Sequence, residues 1–403
     1  MDSDIVIVGG GLNGSALALA LAQRGISVTV VDALLRDARA DDAFDGRSYA
    51  LALASVRLLR AIGIWDGIKD RTQPMLEIKV SDGRAGAGPL SPFALHFDHA
   101  ELEEGPMGHM CEDRVLRPAL LAAMDAEARI TTISGDAVIA QDADAASATL
   151  TLASGRILRT GLIVGSDGRA SGTAHRAGIR RTGWQYNQTA LVCAVAHEKP
   201  HHGIAHQFFM PPGPLAILPL PGNVSSIVWS ERAETATAFA ALDDEDFLNV
   251  LRPRFGDFLG QISLVGARYT YPLGLSVAND LVAPRVALVG DAAHGVHPVA
   301  GQGLNAGLRD VAALVQVLTD AQLRGEDMTA SDVLERYQRW RRFDIAALAM
   351  TTDISNRLFS SDNPLLRAVR DIGMGAVQAT APVRRALMRE AAGLTGDLPD
   401  LMR

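Results

Sequence analysis

A strand, a glycine-rich turn and a helix open this chain and constrain its fold more than any other segment. Asp4-Ile5-Val6-Ile7-Val8 runs into Gly9-Gly10-Gly11-Leu12-Asn13-Gly14, and an Ala/Leu-rich helical pattern follows over 15–24. This is G-x-G-x-x-G in the strand-to-helix setting that gives it meaning. The glycines permit a tight turn and close approach of a pyrophosphate, which sits at the helix N-terminus. Asp32 ends the next strand at the spacing of an acid that accepts a hydrogen bond from a ribose hydroxyl, as in FAD or NAD. Gly9, Gly11, Gly14 and Asp32 are therefore expected to bind a dinucleotide.

A second small-residue loop lies about 280 residues later. The apolar run Val286–Val289 leads into Gly290-Asp291-Ala292-Ala293-His294-Gly295-Val296-His297-Pro298-Val299-Ala300-Gly301-Gln302-Gly303-Leu304-Asn305, and a helical pattern begins near Leu304. Such a loop lets a cofactor approach the backbone and aims a helix N-terminus at electron-rich atoms. The two loops together suggest one extended cofactor gripped at both ends. Gly165-Ser166-Asp167-Gly168 after Leu162-Ile163-Val164 reads, alone, as a turn. Gly83, Gly86 and Gly88 are followed by Pro89 and Pro92 rather than a helix, which predicts a surface loop. With one dinucleotide fold, a second redox partner must come from solution or another protein.

The expected class is α/β. A Rossmann-like cofactor domain is built from 1–73, 111–183 and 273–330, and a β-rich substrate domain from 74–110 and 184–272. A helical C-terminal segment covers 331–403. At 403 residues with 48% hydrophobic and 21% charged side chains, the chain has the composition of a soluble globular protein. Its net charge of -8 argues against a nucleic-acid binder. Cys111 and Cys193 read as free thiols in a reducing compartment. No apolar run reaches the roughly 18 to 20 residues that span a bilayer, and the first strand leaves no room for a leader. A cytoplasmic protein is expected, with attachment to the inner face of the membrane left open. Residues 336–403 carry 11 Arg against 7 acidic residues, so the rest of the chain stands at -12.

Gly9–Gly14 with Asp32, Asp45-Gly46-Arg47-Ser48-Tyr49-Ala50-Leu51-Ala52, Gly165–Gly168 and Gly290–Asn305 resemble the FAD-dependent aromatic hydroxylases of the 4-hydroxybenzoate hydroxylase superfamily. The likeness is greater still to the polyprenylphenol hydroxylases of ubiquinone biosynthesis. His297-Pro298-x-Ala300-Gly301-Gln302-Gly303-Leu304-Asn305 through Asp310, Gly213–Leu220, Ser226–Trp229 and Thr352–Phe359 carry it.

The resemblance implies an oxidoreductase with bound FAD, O2 as co-substrate, and NADH, NADPH or a reductase protein as electron donor. One oxygen atom would enter the ring of a lipophilic polyprenylated phenol by way of a flavin C4a-hydroperoxide. It further implies that Arg47 and Arg114 contact the cofactor and that Asp167 lies between cofactor and reductant. Gly290 and Asp291 would hold the ribityl or pyrophosphate end, with Gly301, Gln302, Gly303, Leu304 and Asn305 along the flavin ring. The family's Arg after Asp-Gly falls here at Ala174, with Ser171 present and Arg176 two residues on, which weakens the transfer of a nicotinamide-binding role. Two other functions stay open: a monooxygenase of a small soluble aromatic, and a flavin-binding accessory subunit of a quinone-synthesis assembly.

Around this core the residues leave several choices. His297 and Pro298, beside the flavin, are the candidates for catalytic contact with substrate, and a structural role for His297 stays open. Tyr186, Gln188 and Leu218 are candidates for the substrate cavity. His294 and His297 stand i, i+3 in a loop, and a metal site needs three or four ligands, so none is expected. His201-His202 after Lys199-Pro200 suggests an exposed turn. Arg336, Arg339, Arg341 and Arg342 sit within seven residues of a helical tail rich in apolar side chains. Membrane docking, docking to a ubiquinone-biosynthesis complex and a homo-oligomer all fit such a tail.

Overall fold

The computed structural model describes residues 1–39, 44–83, 94–144, 146–211, 213–297, 301–360 and 363–403. Pro298, Gly86 and Gly88 lie outside the described residues. Ser3–Val8 occupies the middle of an eight-stranded sheet, parallel to Ile157–Gly165 on one side and Val28–Asp32 on the other. Ile5, Val6 and Ile7 are fully buried, as continuous apolar strands covered on both faces must be. Val286–Leu288 and Ile130–Ser134 flank these three strands, the former parallel to Ile157–Gly165. The helices Leu12–Ala22 and Gln302–Leu323 pack against one another, and their buried leucines, alanines and valines join the sheet's core.

The second eight-stranded sheet runs in the order His294–Gly295, Ile262–Ala278, Arg181–His197, Val224–Arg232, Gly213–Leu220, Ile204–Met210, Glu77–Asp82 and Leu95–Asp98. Its antiparallel strands alternate, as half-covered sheets do. One face carries Leu191, Cys193, Phe208, Leu215, Ile217, Ile227 and Trp229 against the helices Ala233–Ala240 and Asp244–Phe255. The other face turns toward the cofactor sheet. The 17-residue strand Arg181–His197 is broken in register between Gln185 and Gln188, where Asn187 takes a left-handed φ of 55°.

A three-stranded sheet of Ser48–Ala52, Gly108–Glu112 and Gln73–Met75 joins the two halves. The strands Gln73–Met75, Gly108–Glu112 and Ile262–Ala278 each continue across a boundary that the domain expectation drew.

The helices Ser331–Phe359, Pro364–Ala379 and Ala381–Ala391 complete the molecule. Arg341 departs from the expected basic tail face. It is 2% exposed, and its Nε donates to Asp310 at 2.7 Å. Arg336 pairs with Glu326 and Asp332, so the four-arginine run is not a free basic patch. The expected exposed turn at 201–202 is also half wrong. His201 is buried, its Nε2 bonded to the Leu220 carbonyl and its Nδ1 accepting from Gly203 N–H, while His202 is exposed with φ 54°. Among the described residues no helix is long and apolar enough to cross a membrane.

Candidate active site

The two glycine loops meet. The Asn13 side chain fills the space that a Cβ would need at both Gly290 and Gly307, each with Asn13 Nδ2 only 2.3 Å from the ideal Cβ position. Gly290 is thus required for packing, and its φ of 61° suits glycine. Gly14 is required for the first turn, since a Cβ there would lie 2.0 Å from the Gly9 carbonyl oxygen. Asp32 sits behind this loop: Oδ2 accepts from Gly10 N–H at 2.6 Å and Oδ1 from Leu34 N–H at 2.8 Å.

Between the loops and the second sheet lies a cavity of about 550 Å³. Gly11, Leu12, Asn13, Ser166, Gly168, Arg169 and Asp291 border one part of it, with Gly301–Asn305 along its floor. Gly301, in the left-handed region at φ 63°, caps the 22-residue helix Gln302–Leu323. The helix therefore turns its N-terminus toward the cavity, where its dipole favours negative charge. Asn305 is 8% exposed and acts as a clamp. Its Oδ1 accepts from Ala52 N–H and Ser55 Oγ, and its Nδ2 donates to the Ala50 and Gly301 carbonyls.

Fit to a flat, phosphate-bearing cofactor can be tested on this cradle. An added Cβ at Gly11, Gly168 or Gly303 would meet no protein atom within 4 Å, so all three face open space along the cavity. Asn13 Oδ1 and Ser48 Oγ, both at the cavity, are buried without a hydrogen-bond partner. Buried orphans of this kind carry a desolvation cost that a polar ligand would remove. The residues present fit the group.

A buried charge network backs the second loop. Asp310, fully buried, accepts from Gly290 N–H at 3.0 Å, His294 Nε2 at 2.6 Å and Arg341 Nε at 2.7 Å. Burial alone would raise its carboxyl, but His294 and Arg341 outweigh burial and hold it below the usual carboxylate range. Tyr337 donates to the Leu288 carbonyl at 2.8 Å, tying the helix Ser331–Phe359 to the strand that precedes the loop. His294 is thus a hydrogen-bond partner of Asp310.

Several expected contacts fall elsewhere. The Asp167 carboxylate is taken by Ser171 Oγ, Thr173 N–H and Thr173 Oγ1, capping the short helix Gly172–Arg176, while its neighbours Ser166, Gly168 and Arg169 face the cavity. Arg47 pairs with Asp45 and Asp113, and Arg114 pairs with Glu112 and lies over the Phe44 ring; neither borders the cavity. Tyr186 and Gln188 do not border it either. Tyr186 donates to Asp353 at 2.9 Å, and Gln188 bonds Asn356 and Ser360, so both tie the second sheet to the helix Ser331–Phe359. Leu218 does border it. His297 is fully buried beneath the cavity, with neither ring nitrogen hydrogen-bonded, and its ring meets Tyr186 edge-on at 5.4 Å. Burial, with Arg169 adding repulsion, pushes its pKa down to about 4, so the ring is neutral at pH 7.

Other residues were not visible in the sequence. Arg39 is buried, and its guanidinium donates to the Gly10 carbonyl at 3.0 Å and to Ser134 Oγ, 3.4 Å from Asp32. Arg117 borders the cavity, paired with Asp113, whose Oδ1 also accepts from Tyr49 OH at 2.8 Å. Burial raises the Asp113 carboxyl, but Arg117, Tyr49 and Arg47 together outweigh it and hold the group low. An i, i+4 Asp–Arg pair on an amphipathic helix was the available signal for Arg117. Nothing local marked Arg39.

The sequence pattern of the FAD binding domain family matches residues 2–352. The chain is 45% identical over 404 residues to the ubiquinone hydroxylase UbiL of Rhodospirillum rubrum, covering 100% of this chain and 92% of that protein. It is 35% identical over 394 residues to the 3-demethoxyubiquinol 3-hydroxylase of Escherichia coli, covering 97% and 99%. Among solved structures, p-nitrophenol 4-monooxygenase PnpA from Pseudomonas putida superposes with a TM-score of 0.81 over 98% of both chains at 20% identity, a likeness of fold. Cradle, buried network and relatives agree: the chain belongs to the FAD-binding domain family, among the relatives of the ubiquinone-biosynthesis hydroxylases.

Proposed function

We propose that this protein hydroxylates the aromatic ring of a polyprenylated phenol in ubiquinone biosynthesis. The observation that carries the reading beyond the relatives' names is the composition of the cavity. Past the glycine loops its walls are Met75, Ile78, Met107, Ala205, Phe209, Ala216, Leu218 and Val228, an apolar lining suited to a prenyl-bearing ring. A small benzoate would call for an unpaired Arg on this wall. Among the described residues, the arginines that border the cavity are both paired, Arg117 with Asp113 and Arg169 with Asp291.

Bound FAD supplies the reduction of O2 and delivery of one oxygen atom to the ring. The chain's own part is to position and to exclude water. The N-terminus of the helix Gln302–Leu323 would favour negative charge on the bound cofactor, and Asn305 fixes that turn against Ala50 and Ala52. Gly11, Gly168 and Asp291 would hold its phosphate-bearing portion, with Asp32 and Arg39 bracing the loop from behind. The apolar wall keeps water away from the reacting ring.

An anionic membrane surface is the proposed source of substrate. Phe343, Met350 and Ile354 stand 79%, 64% and 56% exposed along one face of the helix Ser331–Phe359. On Ala381–Ala391, exposed Val383 and Leu387 lead by four-residue steps to Ala391 at the cavity. Exposed Arg342 and Arg385 accompany these stripes. Complementation of strains each blocked at one quinone-ring hydroxylation tests the function. Restored quinone with disappearance of the blocked intermediate is expected, and no rescue of any strain would overturn it.

A further inference from the structure

The second sheet presents an apolar wall to the cavity with one exception. On the strand Ile204–Met210, Ala205, Gln207 and Phe209 share the cavity face. The intervening side chains point the other way: the His206 and Phe208 rings lie 4.5 and 6.3 Å from Phe258, in the core beneath the helices. Across the strands, Gln207 stands opposite Ala216, and Ala216 opposite Val228, so its lateral neighbours on this face are apolar. Gln207 is half-buried, and among the described residues its amide makes no hydrogen bond. The amide faces the open volume, where a ligand's polar group can bond it.

We propose that Gln207 anchors the ring oxygen of the substrate and thereby sets which ring carbon faces the flavin. The inference rests on the prenylphenol reading above and names a residue for it. A primary amide suits the task because it donates to a phenolate oxygen and accepts from a phenol O–H, serving both protonation states. Among the described residues, no other side chain of this sheet turns a hydrogen-bonding group into the cavity. His206 borders the cavity, but its ring packs on Phe258, where burial and the nearby Lys79 keep it neutral. One polar anchor with an apolar remainder fixes ring orientation while leaving the prenyl chain to non-directional burial.

The test is a comparison of two probes on the oxidised holoenzyme: 2-farnesylphenol and its methyl ether, titrated against flavin fluorescence. In the wild type the phenol binds more tightly than the ether. Gln207→Leu, close in volume, should weaken the phenol about five- to tenfold, leave the ether unchanged, and lower the ratio of hydroxylated product to reductant consumed. Gln207→Asn, one methylene shorter, should recover part of the phenol preference. Equal loss for both probes, or no loss for either, overturns the role of Gln207. If the wild-type holoenzyme binds neither probe and hydroxylates no prenylphenol, the functional reading itself falls, and the anchor with it.

Discussion

Gly11→Val separates the cofactor cradle from the fold. Gly11 precedes the helix Leu12–Ala22 with φ -69° and ψ -174°, extended backbone that any residue adopts. A Cβ there meets no protein atom within 4 Å, so the apoprotein should tolerate valine and gain slightly from its stiffer unfolded chain, by up to about 1 kcal/mol. The added methyl groups instead enter the cavity where the pyrophosphate must approach the loop. Overpacking of this kind costs about 1–3 kcal/mol, which raises the FAD dissociation constant about 5- to 150-fold.

Flavin titration into deflavinated protein measures the constant, and thermal unfolding of the apoprotein measures the fold. Gly14→Val is the contrasting control. Its Cβ would sit 2.0 Å from the Gly9 carbonyl, so both flavin affinity and apo stability should fall. Unchanged FAD affinity in Gly11→Val would refute the cradle, and a large drop in its apo melting temperature would refute the claim that the position is open.

Three further outcomes follow from the same geometry. Asp310→Asn leaves Arg341 buried without its full counter-charge and should cost about 3–5 kcal/mol, read as a lower unfolding midpoint with loss of flavin; an unchanged midpoint would show that the network is dispensable. His297 titrates at about 4 in the fold against 6.5 unfolded, so the unfolded chain binds the extra proton between those values. The stability this gives is whole above pH 6.5 and is lost as pH falls toward 4. His297→Gln should flatten the dependence of the unfolding midpoint on pH in that window, and an identical slope would contradict a buried neutral ring. Leu387→Asp should abolish preferential sedimentation with anionic over neutral liposomes at low salt without changing flavin content; equal sedimentation of the wild type with both would remove the membrane reading.

What the sequence disclosed and what it hid divide along a physical line. The strands and loops around Gly9–Gly14 and Gly290–Asn305 were legible because turn sterics, helix starts and apolar runs act within a few residues of chain. Arg341 read as part of a basic surface because its partner Asp310 is 31 residues away, and only tertiary packing brings that carboxylate into the core. Tyr186 and Gln188 read as cavity residues because they flank an alternating strand, yet the register break at 185–188 turns them onto Asp353 and Asn356. Gln207 acquires meaning only once the cavity exists, since no local pattern distinguishes a glutamine facing open volume from one facing solvent.

The central claim is that this chain, with FAD, places one oxygen atom from O2 on a prenylated phenol. The direct measurement is turnover of the purified holoenzyme with a prenylphenol under ¹⁸O2, using NADH, NADPH or a reductase system as donor, and mass spectrometry of the product. The account predicts a hydroxylated ring carrying a single ¹⁸O. Reductant consumption yielding only hydrogen peroxide with each donor, or a product whose new oxygen comes from water, would contradict it.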